Sequence, residues 1–245
     1  MESPFLQAHG LLRCIGLFLS GVCHQFPEHS IIVAGAHMPL CARCMGTYLG
    51  AFLGLGNLWL RGRSRASRLP PVKVLIVLGL LFIFWAIDGL NSYLHFLTGR
   101  VALYTPSNSL RLTAGMVNGL SLSLLVFPMF NFTLWREPDR GRAVNNLEEL
   151  AGILLQVIAL AALVQANFSI LLYPLILVNL LSVLLMLTIV NSMIVIILLR
   201  RENHAEGWRQ ALFPLSVGLL LSIAEVGSIA VLRYLLASAL PPTNV

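Results

Sequence analysis

The stretch ILLYPLILVNLLSVLLMLTIVNSMIVIILL, from Ile170 to Leu199, decides the fold. It runs thirty residues without a charged side chain. About 20 mostly apolar residues suffice to cross the hydrocarbon core of a bilayer, so this pattern predicts a transmembrane helix. Working outward, residues 72–98, 108–134, 146–166 and 211–238 meet the same length and apolarity. Residues 41–60 make a sixth span, carried by Leu49-Gly50-Ala51-Phe52-Leu53-Gly54-Leu55. Residues 5–22 are apolar but short and hold His9 and Arg13, which leaves a seventh span, an interfacial helix or a re-entrant segment open. They lack the basic start of a cleavable signal peptide.

The whole chain agrees with this reading. Of its 245 residues 58% are hydrophobic and 11% charged, and the mean hydropathy is +0.85. Soluble domains carry about 25% charged residues. Too few polar side chains remain to cover a water-exposed globule, which excludes a soluble enzyme and a disordered chain. The expected architecture is therefore an all-α, polytopic helix bundle of six spans, with residues 5–22 as candidate seventh, in the cell (plasma or inner) membrane. Residues 1–40 form an N-terminal segment, 41–238 the bundle and 239–245 a tail. The formal charge of +6 comes from short loops and not from a basic, aromatic-rich surface, so nucleic acid is not an expected partner.

Arg61, Arg63, Arg65, Arg68 and Lys73 follow the 41–60 span, Arg136, Arg140 and Arg142 follow 108–134, and Arg200, Arg201 and Arg209 follow 170–199. The alternate loops 99–107 and 167–169 hold one basic residue, Arg100. Three basic loops of one parity are expected on the cytoplasmic side. Segment 23–40 then lies outside the cytoplasm. Gly46, Gly50 and Gly54 share one helix face, a spacing that lets a neighbouring backbone come close.

All four cysteines, Cys14, Cys23, Cys41 and Cys44, fall in the first 44 residues, which points to one local site. The segment reads Cys23-His24-Gln25-Phe26-Pro27-Glu28-His29-Ser30, then His37, then Pro39-Leu40-Cys41-Ala42-Arg43-Cys44. A Cys-x-x-Cys turn brings two thiolates to the same side, and Cys23 with His24, His29 or His37 can complete a tetrahedral set suited to zinc. Arg43 and the helix start would help keep the thiols ionised. The same atoms permit a redox pair with a quinone as electron acceptor, a cysteine nucleophile, or a structural disulfide.

Cys23-His24-Gln25, Pro39-Leu40-Cys41-Ala42-Arg43-Cys44 and Gly46-x-Tyr48-x-Gly50 resemble the signature of a prokaryotic family of multi-pass membrane proteins catalogued as a domain of unknown function. The resemblance extends through Asp88-Gly89 and Asn108-x-x-Arg111-x-Thr113-x-Gly115, over residues 20–120. The family has Arg-Ser after Pro-Glu where this chain has His29-Ser30, which favours His24 over His29 as ligand. The resemblance implies a site but names no reaction.

Ionisable residues inside spans are costly and mark function or pairing. Asp88, Asn91 and His95 share one face of span 72–98, and Asn108, Arg111, Gly115 and Asn118 share one face of span 108–134. An Asp88–Arg111 ion pair is expected, at the depth of the cysteine cluster. The leading expectation is a metal-dependent membrane enzyme. Zinc would be held by Cys23, His24, Cys41 and Cys44. An outward-facing pocket lined by Asn91, Asn108, Arg111 and Asn118 would take a lipid-like or amphipathic substrate, with Asp88 or Glu225 as acid or base. A quinone-linked thiol oxidoreductase, and a transporter or channel with a cysteine staple, are the alternatives.

Overall fold

A computed structural model describes residues 10–239. Helix α1 (Leu11–Leu19) leads into a hairpin of β1 (Ser30–Val33) and β2 (Ala36–Cys41), and β2 runs directly into α2 (Ala42–Leu60). Then come β3 (Ala66–Arg68), α3 (Val72–Thr98), α4 (Asn108–Leu134), β4 (Asp139–Arg142), α5 (Leu147–Gln165), α6 (Leu172–Leu198) and α7 (Trp208–Ala239). The chain is an all-α membrane bundle with two small strand pairs at its ends. Helices α3 to α7 are long and apolar enough to cross a membrane. Helix α2 is less apolar, but its nineteen residues reach about 28 Å, close to the thickness of a hydrocarbon core. The nine residues of α1 reach about 14 Å, too short to cross alone. The remainder of the 5–22 stretch before Gly10 lies outside the described residues.

Helices α2 to α7 run alternately between two ends. At one end the three basic loops meet: β3 pairs with β4, and Trp135 bridges to Ala205. Glu149 at the start of α5 accepts hydrogen bonds from Arg61 (2.6 Å) and Arg63 (2.5 Å) of the α2–α3 loop. The other end carries the hairpin, the α3–α4 and α5–α6 loops, and the last turns of α7. The shared parity of the basic loops is thus a spatial fact.

Helix α4 is central: 67% of its apolar window is buried, against 17% for α3, whose outer face (Ile76, Leu80, Phe84, Ile87) is left to lipid. Its neighbour α2 runs in the same direction, and the two approach through glycines on both sides. A Cβ at Gly46 would overlap the carbonyl oxygen of Leu112, and one at Gly50 that of Met116. In return, a Cβ at Gly115 would meet the carbonyl of Arg43, and one at Gly119 that of Thr47. The expected glycine face on α2 is therefore a packing face, matched by a second one on α4.

Gly119→Ala or Gly50→Ala should force these backbones apart and destabilise the protein by about 1–3 kcal/mol, read as a lower thermal midpoint in detergent. Gly56→Ala and Gly79→Ala, where no atom lies within 4 Å of the added carbon, should leave the midpoint unchanged or slightly raised, alanine being the better helix former.

Candidate metal centre

The hairpin aims the cysteines. Its two-residue turn, Ala34-Gly35, has positive φ at both positions (53° and 76°), the handedness that suits strand twist. Ser30 pairs with Cys41, and Cys41 is at once the last residue of β2 and the N-cap of α2. Its sulfur accepts from the Cys44 N–H at 3.5 Å, while its own N–H donates to Cys23 Sγ at 3.2 Å. Backbone N–H groups thus point at two of the thiols, although the hydrogen bond with Cys41 and burial push the Cys23 thiol up to about 12. Cys23 and Cys41 are buried and Cys44 is half-buried. Hydrogen bonds from the Cys23 and Cys44 thiols pull the Cys41 thiol far below its ordinary range.

One donor atom each from Cys23, His24 and Cys41 lies within 4.8 Å of the others. Cys44 is not one of that group, but its backbone N–H lies 3.5 Å from Cys41 Sγ. Three of the expected ligands are therefore brought together, with the fourth beside them. The His24 ring is exposed, and its Nδ1 accepts from the Phe26 N–H at 3.0 Å. His29 packs edge-on against it at 5.3 Å between ring centres, and burial holds the His29 imidazole below its ordinary pKa. Neither His29 nor His37 joins the donor group, and exposed Cys14 stands apart from it. All four cysteines are free thiols.

The segment from Cys23 to Ser30 is held by Gln25 and Arg233, to which the sequence assigned no such role, and by Asn108. Gln25 sits at φ 57°, and its Nε2 donates to the carbonyls of Gly16 and Pro39, each at 2.7 Å. Arg233, near the end of α7, donates to the carbonyls of Ser20 and Cys23, and to that of His24 at 3.3 Å. Asn108, the first residue of α4, donates to the carbonyls of Glu28 and Ser30. An arginine near the end of a terminal span was the visible signal for Arg233. Its partner could not be read from spacing.

The polar residues beneath the cysteines form a connected network, with one change of partner. Asp88, fully buried, pairs with Arg43 and not with the expected Arg111. Arg43 Nε lies 3.2 Å from Asp88 Oδ2, Nη2 donates to the Asp88 carbonyl at 3.1 Å and to Ser92 Oγ at 2.9 Å, and Tyr104 Oη donates to Asp88 Oδ1 at 3.0 Å. Arg111 reaches the same Ser92 hydroxyl at 3.5 Å and donates to Asn108 Oδ1 at 2.9 Å. Arg43 is long enough to leave the first turn of α2 and cross to α3, so its charge serves Asp88 before it serves the thiols. Asn91 ties the α3–α4 loop, donating to the Tyr104 carbonyl and accepting from the Leu103 N–H. Asn118 lies deeper, its Oδ1 buried without a partner. Glu225 is exposed on α7, accepts from Asn191 at 3.3 Å, and is not brought to this network.

A multi-pass helix bundle with a half-buried cysteine–histidine cluster at one end defines the class of protein. Residues 23–125 match a family described as "Predicted membrane protein (DUF2085)", a segment that holds the cluster, α2, α3 and most of α4. An uncharacterized protein of Methanothermobacter thermautotrophicus is 32% identical over 105 residues, which is 42% of this chain and 83% of that relative. Another, of Methanocaldococcus jannaschii, is 28% identical over 117 residues, 48% of this chain and 69% of its own length. The chain belongs to this membrane protein family. No solved structure matches it.

Asp88→Asn should strand the Arg43 charge and cost about 3–5 kcal/mol. Adding Arg43→Gln should recover much of that loss, whereas adding Arg111→Gln should not. Thermal unfolding of the four proteins in one detergent measures the difference.

Proposed function

We propose that this membrane protein carries a zinc centre formed by Cys23, His24, Cys41 and Cys44 at the end of the bundle away from the basic loops. The observation that carries the reading is the convergence of the Cys23, His24 and Cys41 donor atoms within 4.8 Å, with the Cys44 backbone N–H on the Cys41 sulfur. Three soft sulfurs and an imidazole match the tetrahedral preference of zinc. N–H bonds to two of the sulfurs are the outer support such a site needs.

The three thiolates are the fixed ligands in this proposal, and His24 is the exchangeable one. It is exposed, and its Nδ1 must give up the Phe26 N–H bond before the ring can bind a metal, either to bind through Nδ1 itself or to take over the Nε2 proton so that Nε2 binds. A zinc with one exchangeable place supplies Lewis acidity, which is the basis of the enzyme reading. The substrate is then amphipathic or lipid-like, since the centre sits where the bundle meets the membrane surface. Asp88 is a positioning residue here: both its oxygens are engaged, and it fixes Arg43 in the Cys41–Cys44 turn. Neither Asp88 nor Glu225 belongs to the donor group.

Metal analysis of the full chain purified in detergent should give about one zinc per chain. Cys41→Ser should abolish it, and His24→Ala should keep it at lower affinity. A metal-free chain with a Cys41–Cys44 disulfide overturns the centre. The positive-inside pattern supports a centre outside the cytoplasm. After chelation, a membrane-impermeant maleimide should label its cysteines in intact spheroplasts, and labelling only in broken membranes reverses the orientation.

A further inference from the structure

At the end of the bundle opposite to the cysteines, a cavity of about 320 Å³ opens between α6 and α7. Its wall is apolar, with Val195 and Leu199 from α6 and Phe213 from α7, while Arg201, His204 and Arg209 stand around it. The walls are fixed. The Asn203 N–H donates to the Thr133 carbonyl at 2.8 Å and the Ala205 N–H to that of Leu134 at 3.1 Å, which ties the α6–α7 loop to the end of α4. Ser192 Oγ donates to the Pro214 carbonyl at 3.0 Å and fastens α7 to α6.

The charges here are unspent. At this end of the molecule Arg61 and Arg63 pair with Glu149, Arg136 pairs with Glu206, and Arg65 lies 4.1 Å over the Trp135 ring. Among the described residues Arg201 and Arg209 make no ion pair and no side-chain hydrogen bond. The carboxylates of the same loop do not compensate them: Glu206 is taken by Arg136, and Glu202 does not line the cavity. The cavity lies between the end of one apolar helix and the first turns of the next, whose first residue is Trp208, a residue type enriched where hydrocarbon gives way to headgroups.

We propose that this cavity binds an anionic phospholipid. Arg201 and Arg209 take the phosphate and the Val195–Leu199–Phe213 wall takes the start of an acyl chain. Guanidinium groups match phosphate oxygens in geometry and charge, and a basic pocket between transmembrane helices is a natural headgroup site. The apolar wall separates a lipid from a free phosphate, because it contributes nothing to binding an inorganic ion. The inference is independent of the metal centre, which lies at the other end of the bundle.

Native mass spectrometry of the delipidated full chain, titrated with equal amounts of dioleoyl phosphatidylglycerol and dioleoyl phosphatidylcholine, tests it. The glycerol lipid should be retained about tenfold over the choline lipid. Arg201→Gln with Arg209→Gln should bring the two to parity. Val195→Trp, which fills the cavity without changing charge, should do the same. Arg140→Gln with Arg142→Gln, basic residues of the same end outside the cavity, should leave the preference intact. Equal retention by the unaltered chain, or equal loss in the Arg140/Arg142 pair, overturns the site. Displacement of the phosphatidylglycerol by inorganic phosphate overturns its assignment to lipid.

Discussion

The close approach of α2 and α4 is the contact on which the rest depends. In lipid, apolar side chains gain little from one another that the acyl chains do not already offer, so helices associate by packing and by hydrogen bonds. Gly46, Gly50, Gly115 and Gly119 remove the side chains that would keep these backbones apart. Both helices start at the same end. Their contact therefore places the Cys41–Cys44 turn beside the first turn of α4, where Asn108 and Arg111 emerge. Gly115 lies against the Arg43 carbonyl itself, so the packing face ends within the cysteine motif.

Around that contact, the cluster is assembled from distant parts of the chain. The turn of α2 supplies two thiols, and the hairpin brings Cys23 and His24 back over it. Asn108 holds the far side of the loop and Gln25 its underside. Arg43, bound to Asp88 and Ser92, fastens the turn to α3. The polar groups in the membrane are thus largely committed to one another. That is how a low-dielectric surrounding tolerates a buried carboxylate, and it casts the network as a scaffold for the thiols.

The apolar spans were legible because hydrocarbon imposes one crude requirement, length without charge. Residues 108–134 were bounded without error, and 170–199 to within two residues at the start, where a single 3-10 turn precedes α6. The nearness of Cys41 and Cys44 was legible because Cys-x-x-Cys is a local motif. The Asp88 partner was not, since depth and face pointed to Arg111, while Arg43, read as a support for the thiols, reaches across the interface to take the carboxylate. The hairpin was missed because Ile31, Ile32 and Val33 give too short a run to show alternation, although Ala34-Gly35 marked the turn. Arg233 was passed over because nothing in its neighbourhood announces a partner at the other end of the sequence.

That last contact bears on how the protein is made. Cys23 and Arg233 are 210 residues apart, so the loop that carries one sulfur and one nitrogen donor is synthesised long before the helix that clamps it. Until α7 is in place, the carbonyls of Ser20, Cys23 and His24 lack this guanidinium. The order of the loop is therefore coupled to the insertion of a helix made much later.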